Sequence, residues 1–275
     1  IHMNMEIVQL VNEYNVSNRK ADFEFCQRFL DIVKRTYGLD GYLNELIYIS
    51  KEDYKDPKYE KYTKGMRGLF GQAGYEHETG NLVIYAYNIE CDKEHEVSKG
   101  KFEGNSSVIT YNLLVLQTLL HEIEHAKQYK LKDSGTDMES ELLRLTDVDG
   151  PETNESYEYS FVERLAELKS IGFILDMYEQ LGISDQRIYD YFNKEYFDAA
   201  LRGYHFEDEK GFYASEEAGF LVAPTVKYLG LHGGDLVKLS ELALSIEGDD
   251  RIIYGLPISV EEYKALCNTS ESFKM

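Results

Sequence analysis

The fold is organised around residues 119–126, which read Leu119-Leu120-His121-Glu122-Ile123-Glu124-His125-Ala126. Upstream of them, apolar residues recur at intervals of three and four from Val108 onward, which predicts an amphipathic helix over about residues 107–130. Residues four apart on a helix lie one above the other, so His121 and His125 are expected to direct their imidazoles at one point. Two neutral imidazoles that converge in this way make half of a tetrahedral zinc site.

Glu122 directly follows the first histidine, so it is placed to take a proton from a water polarised by the metal. The pattern His-Glu-x-x-His within an apolar helix is the signature of the zincin metallopeptidases, and residues 107–130 closely resemble that family. The resemblance implies one zinc ion per chain, a peptide or protein substrate, and Glu122 as the catalytic base. The pattern fixes only three residues, so an exposed helix with two incidental histidines is the alternative.

A catalytic zinc site takes three protein ligands and leaves one position open. One zincin branch has a glycine three residues after the second histidine and a third histidine six residues after it. Here Gln128 and Leu131 occupy those two positions, which excludes that branch. The other common choice in the family is a glutamate from a later helix, as in the thermolysin-like gluzincins.

The best candidate for that glutamate lies in a predicted helix over residues 156–181. Glu163 and Glu167 are four residues apart and share a face, and Ala166 is small where that helix would approach the motif helix. By resemblance to gluzincins, Glu163 is the third metal ligand, and Glu167 accepts a hydrogen bond from a ligand histidine. The alternative is that both are solvated charges. Other acids compete for the ligand position: Glu139, Glu141, Asp147, Glu155 and Glu158.

The resemblance also implies the chemistry. A bound zinc ion lowers the pKa of its water toward about 7, and Glu122 would accept the proton and pass it to the leaving amine. A second hydrogen-bond donor at the oxyanion is common in this superfamily. None is singled out here, since the chain has 23 tyrosines and most of them must be packing residues. The candidates are Tyr157, Tyr159, Tyr204 and His205.

Composition excludes several classes of function. The formal charge of −21 argues against nucleic-acid binding, which needs basic patches. No apolar run is long enough to cross a bilayer, so no membrane partner is expected. Cys26, Cys91 and Cys267 are odd in number and widely spaced, which argues against a disulfide framework. Because no basic segment followed by an apolar core stands near the start, we expect a cytoplasmic protein, with a removed signal segment left open. Oligomeric state is left open as well.

We predict an α+β fold. A small mixed lobe, residues 1–130, would carry the motif helix, and a mostly helical lobe, residues 131–275, would carry the third ligand. The resemblance to gluzincins implies a cleft between these lobes, which together form one compact catalytic unit. The acidic residues 147–158 are predicted to form a loop, which could cover the cleft or bind a cation such as calcium, although their spacing does not match an EF-hand. A non-catalytic zincin-like binding or regulatory module, with a structural or idle metal, is the alternative function.

Periodicity also predicts the individual elements. The clearest strand is residues 82–89, and by resemblance to zincins it would be the sheet edge that pairs with substrate, with an ordinary internal strand as the alternative. Charge-rich residues 53–64 and 92–101 are predicted to be loops. A second short strand is predicted at residues 46–49. Helices are predicted at residues 5–14, 21–37, 156–181, 185–203, 215–229, 236–246 and 260–266, with a short one ending near Leu145.

Overall fold

The protein is a mixed helix-and-sheet structure, as the sequence predicts. The computed structural model describes residues 4–145, 161–202, 220–221, 250–253, 256 and 258–272. Its helices are α1 Met5–Val16, α2 Phe23–Thr36, α3 Glu60–Thr63, α4 Gly65–Phe70, α5 Ala86–Lys99, α6 Gly104–Ser134, α7 Met138–Leu145, α8 Phe161–Met177, α9 Gln186–Arg202, α10 Asp250–Ile253 and α11 Val260–Ser272. Its strands are β1 Leu46–Ile49, β2 Ala73–Glu76, β3 Asn81–Tyr85, β4 Phe220–Leu221 and β5 Ile258–Ser259.

The first two helices begin at polar caps, as their sequences indicate. The side chain of Asn4 accepts hydrogen bonds from the backbone of Glu6 and Ile7 at 2.9 and 3.1 Å, which starts α1. Asp22 does the same for the backbone N–H of Phe25 at 3.0 Å and starts α2. Both helices bury one apolar face, and both were predicted from that periodicity.

The three-stranded sheet has β3 at its centre. Strand β1 runs parallel to β3, with Leu46 opposite Leu82, and β2 runs antiparallel to it, with Tyr75 opposite the same Leu82. Residues 82–85 are all buried, which explains why this strand is an unbroken apolar run. The predicted role of residues 82–89 as a substrate-binding edge is therefore wrong, because both sides of β3 already pair with neighbouring strands.

Residues 86–99 form helix α5, where the sequence predicted the end of a strand and a charged loop. The strand stops at Tyr85, and α5 buries Ile89, Lys93 and Val97 at intervals of four. Nearly half of its other residues are charged, and that charge hid the helical period. The predicted loop at residues 53–64 is likewise wrong, since it contains two short 3-10 helices, Glu52–Lys55 and Pro57–Tyr59, and helix α3.

The helices predicted near the end of the chain have different outcomes. Residues 220–221 form β4, which pairs antiparallel with β5, so the helix predicted over residues 215–229 is wrong at that point. The remainder of that helix, and the one predicted at residues 236–246, lie outside the described residues. The helix predicted at residues 260–266 is confirmed as α11, and Ser259 caps it: the backbone N–H of Glu262 donates to Ser259 Oγ at 3.1 Å.

Helix α6 extends beyond the predicted bounds at both ends. Its middle is buried on all sides, with Leu113, Leu116 and Leu119 fully inaccessible, as expected of a central helix. Asn112 is also fully buried, and its side-chain amide forms hydrogen bonds with the end of α1 and with the loop between α1 and α2. It donates to Asn15 Oδ1 and the Arg19 carbonyl, and accepts from the Ala21 N–H, at distances of 3.0, 2.9 and 2.7 Å. These bonds fix the start of α2 against α6.

The chain divides into two compact units. The first comprises residues 1–130 and 173–189, and the second comprises residues 131–172 and 190–275. The predicted lobes share the change at residue 130, but the first unit also includes residues 173–189. The predicted division at residues 1–130 and 131–275 stays a prediction. Cys26, Cys91 and Cys267 are free thiols.

Candidate metal centre

The motif residues lie in the second half of α6, on a helix that packing holds in place. Ile123 and Ala126 are buried, with 1% and 0% exposure, and lie on the packed face of the helix. His121 and Glu122 are half-buried. The spacing predicted from the sequence therefore presents these side chains from a rigid, fully formed helix.

The two motif histidines converge as predicted. Their Nε2 atoms are 3.1 Å apart, and their rings are nearly perpendicular, with 4.9 Å between the ring centres. Two Zn–N bonds of about 2.0–2.1 Å at a tetrahedral angle place their nitrogens about 3.3 Å apart. The separation in the protein is close to what a shared metal ion requires.

Gln128 orients the second histidine, a role that the sequence analysis missed. His125 Nδ1 and Gln128 Oε1 are 2.9 Å apart, and the Gln128 side chain is buried, with 3% exposure. An amide oxygen accepts a hydrogen bond, so this contact favours the tautomer with the proton on Nδ1 and leaves the lone pair on Nε2 for a metal. The signal was present in the sequence: a polar residue three positions after a ligand histidine faces the same side of the helix.

Glu163 is the acidic residue whose carboxylate lies close to the two histidines. Each of His121, His125 and Glu163 offers one ligand atom, and these atoms all lie within 4.8 Å of one another. Glu163 lies in the first turn of α8. Its neighbours Leu165 and Ala166 are fully buried, so that turn is held by packing.

Arg164, next to Glu163, holds the same turn of α8 inside the second unit. Its guanidinium is buried, with 4% exposure, and donates to the carbonyls of Ala200 and Ile252, the former at 2.8 Å. These carbonyls belong to the last turns of α9 and α10, where the helix dipole favours a positive charge. The bonds fix the backbone that carries Glu163.

The competing acids have other positions or lie outside the described residues. Glu139 forms an ion pair with Lys169, at 2.5 Å, within the second unit. Asp147, Glu155 and Glu158 are outside the described residues, and of Glu141 the structure describes the backbone. Glu167 stays a prediction: its carbonyl accepts from Ser170 Oγ at 2.8 Å, while the contact of His125 Nδ1 is with Gln128.

The two glutamates of the motif differ in their surroundings. Glu124 forms an ion pair with Lys127 at 3.1 Å, and the Lys127 ammonium lies 4.0 Å from the ring centre of Tyr37. Burial and the nearby Glu124 charge raise the pKa of the Tyr37 phenol. Glu122, in contrast, makes no hydrogen bond or ion pair within the part of the chain that the structure describes.

The predicted oxyanion donors Tyr157, Tyr159, Tyr204 and His205 lie outside the described residues, as does the acidic segment 147–158. Among the helices that the structure describes, none combines the length and the apolar character that crossing a bilayer would require. Comparison of the chain with protein-family models, with curated proteins and with solved structures found no match.

Proposed function

We propose that the protein is a zinc-dependent peptidase, similar in its site to the gluzincins. One observation carries the proposal: His121, His125 and Glu163 bring their ligand atoms within 4.8 Å of one another, and Glu122 stands beside them. The fold as a whole adds nothing to it, because a fold does not by itself imply a function.

The donor set suits zinc. Two imidazole nitrogens and one carboxylate oxygen are borderline ligands of the kind that catalytic zinc sites use, and three protein ligands leave a fourth position for water or substrate. The 3.1 Å between the Nε2 atoms and the contact of Gln128 with His125 both support this fit.

In this proposal zinc supplies a water of lowered pKa and a positive charge near the carbonyl of the substrate. When the metal is bound, Glu122 would accept a proton from the attacking water and would then donate it to the leaving amine. Gln128 holds the His125 ring in the orientation that ligation needs. Glu167 is proposed to orient a ligand histidine as well.

The finer features follow from the same resemblance and belong to the proposal. They are a peptide or protein substrate, a cleft between a mixed lobe, residues 1–130, and a helical lobe, residues 131–275, and a cytoplasmic setting. The charge of −21 supports a partner other than nucleic acid or an anionic membrane. A non-catalytic zincin-like module with an idle metal is the second candidate, and the presence of a glutamate at position 122, with no hydrogen bond or ion pair to the described residues, disfavours it.

Replacing Glu122 with glutamine tests the catalytic role. We expect Glu122→Gln to retain zinc and to lower peptide turnover about 10²- to 10⁴-fold, because the general base is lost. Glu124→Gln is the matched control: that glutamate pairs with Lys127, and turnover should remain near that of the unchanged protein. The measurements are zinc per chain by mass spectrometry and cleavage of a broad peptide library. Binding of zinc without metal-dependent cleavage of any peptide would favour the non-catalytic module.

Replacing Glu163 tests the third ligand. We expect Glu163→Gln to weaken zinc binding more than tenfold, because a neutral amide is a poor replacement for a carboxylate ligand. Glu167→Gln, one turn along the same helix, should have the smaller effect of a residue that acts through a ligand. Competition with a chelator gives both affinities. Equal zinc affinity in the unchanged and Glu163→Gln proteins would refute the assignment.

A further inference from the structure

An aromatic stack lies one helical turn beyond the candidate metal ligands. The imidazole of His77 lies parallel to the ring of Tyr129, with an interplanar angle of 6° and 3.8 Å between the ring centres. Tyr75 packs against the same tyrosine with its ring centre 5.8 Å away. Tyr129 is four residues after His125, so both side chains project from the same side of α6.

The turn that carries His77 is held by hydrogen bonds. It connects β2 to β3, and the backbone N–H of Gly80 donates to the Glu76 carbonyl at 2.7 Å. The Asn44 N–H donates to the Gly80 carbonyl at 2.7 Å, which ties the turn to a neighbouring segment. Gly80 has a φ of +72°, a conformation that glycine adopts without strain. The histidine is therefore presented by a preorganised turn.

One ring face of His77 rests on Tyr129, and the residue as a whole is exposed. Neither ring nitrogen of His77 has a hydrogen-bond partner in the described part of the chain. A stacked, exposed imidazole without a structural bond is not needed to hold the turn together, since backbone bonds already do so. It does offer a flat face to a ligand.

The residues of α6 become more exposed after the motif, so a ligand of the metal site would extend in that direction. Leu114 and Gln117, before the motif and on the same side, are buried, whereas Tyr129 is half-buried and Asp133 is exposed. Tyr129 lies about 6 Å along the helix axis beyond His125, since the rise is about 1.5 Å per residue. An extended peptide advances about 3.3 Å per residue, so the stack corresponds to a position about two or three residues from the metal site.

We propose that His77, stacked on Tyr129, forms a substrate subsite that takes an aromatic side chain of a peptide. The aromatic ring would add to the stack on the open face of His77, in the offset or edge-on geometry that aromatic pairs prefer. This inference rests on the proposed peptidase function for the direction in which the peptide runs. It assigns a specificity that the zinc-binding residues do not supply.

The net charge of the chain disfavours an acidic side chain at this position. His77 stands between Glu76 and Glu78, and the chain as a whole carries a charge of −21. Glu76 is paired with Lys61 at 2.8 Å, so the repulsion of a carboxylate at this turn comes from Glu78 and from the net charge of the chain, and a neutral aromatic ring would not meet it. Aromatic stacking also uses the flat face that the geometry leaves open.

The test measures binding without cleavage, on the full-length Glu122→Gln protein loaded with zinc. The probes are fluorescein-labelled octapeptides of alanine and serine, in which one phenylalanine is placed at each position in turn, together with the parent peptide. Fluorescence anisotropy gives each dissociation constant. The same series is then measured with His77→Ala, with His77→Phe, and with His95→Ala as a matched control, because His95 is an exposed histidine on α5.

We expect phenylalanine at one position to tighten binding about three- to tenfold. His77→Ala should remove this preference, His77→Phe should keep it because the stacking face is restored, and His95→Ala should leave it unchanged. The subsite is overturned if no peptide binds measurably, if no position prefers phenylalanine, or if His77→Ala retains the preference. The proposed function has a separate readout: a His77-dependent preference in a protein that cleaves no peptide keeps the subsite and removes the peptidase.

Discussion

At the scale of single residues, Gln128 shows how a neighbour determines what a motif residue can do. The same amide that excludes the three-histidine zincin branch by its position lies 2.9 Å from His125 Nδ1. It is buried, so the contact is protected from competition with water. The motif spacing predicts that two imidazoles converge, and Gln128 decides which nitrogen of one imidazole is free to bind.

Replacing Gln128 should weaken zinc binding while the fold is kept. For Gln128→Leu we expect a loss of affinity of about 10- to 100-fold, the usual effect of losing the partner of a ligand histidine. Gln128→Glu keeps an acceptor oxygen and should restore the affinity. Chelator competition measures zinc binding, and long-range ¹H–¹⁵N spectra of the metal-free protein report the His125 tautomer.

The control for this prediction is Gln27→Leu on α2, where the side-chain amide donates to Asp31 of the same helix at 3.2 Å. It should change neither the zinc affinity nor the histidine spectrum. An unaltered His125 tautomer in Gln128→Leu would contradict the role assigned to the amide. So would an unaltered zinc affinity.

At the scale of elements, local patterns predicted most helices, and they failed where charge and burial conflict. Helix α5 buries Ile89, Lys93 and Val97 at intervals of four. One of these buried residues is a lysine, and acidic residues stand between them in the sequence. A charge-based prediction therefore assigned a loop. Helix starts have a local cause, because Asp22 and Ser259 accept hydrogen bonds from backbone N–H groups that have no partner within the helix.

The start of α9 gives a prediction about pH. Asp185 accepts from the backbone N–H of Arg187 at 3.1 Å and pairs with its guanidinium at 2.8 Å, and the pKa of Asp185 is lowered to about 2 by the Arg187 hydrogen bond above all. A carboxyl whose pKa is lower in the folded state stabilises the protein above its unfolded pKa of about 3.9, and that contribution is lost as the pH falls toward 2.

The variant Asp185→Asn separates the charge from the cap, because asparagine is also a good N-cap residue. Its free energy of unfolding should be about 0.5–1 kcal/mol lower than that of the unchanged protein near pH 7. The difference should stay constant down to about pH 5 and shrink below about pH 4. Urea unfolding at each pH measures it. A difference that grows on acidification would contradict the lowered pKa.

At the scale of the whole molecule, the dominant property is charge. A formal charge of −21 on 275 residues means that exposed carboxylates repel one another in the folded state. Many of the ion pairs in the first unit are exposed, as between Arg19 and Glu24 or Lys64 and Glu60, and such pairs contribute little. Repulsion should therefore outweigh attraction among the surface charges.

Added salt is accordingly expected to stabilise the protein. Between about 0.02 M and 0.5 M NaCl the Debye length falls several-fold, which screens the repulsion. The midpoint of thermal unfolding should rise by several degrees over that range. Scanning calorimetry of the metal-free protein measures it, with a chelator present so that zinc does not contribute. A falling midpoint would show that the surface ion pairs stabilise more than the like charges destabilise.

The sequence by itself determined the mixed helix-and-sheet class, most of the helices, and the convergence of His121 and His125, because these depend on residues within a few turns of one another. The tertiary structure decided that β3 is the central strand, that Gln128 faces His125 in a buried setting, and that Glu163 is the described acid within 4.8 Å of both histidines. Strand order and the choice among acids depend on segments far apart in the chain. Local periodicity carries no information about which distant segments meet, since packing and backbone pairing over the whole chain determine that.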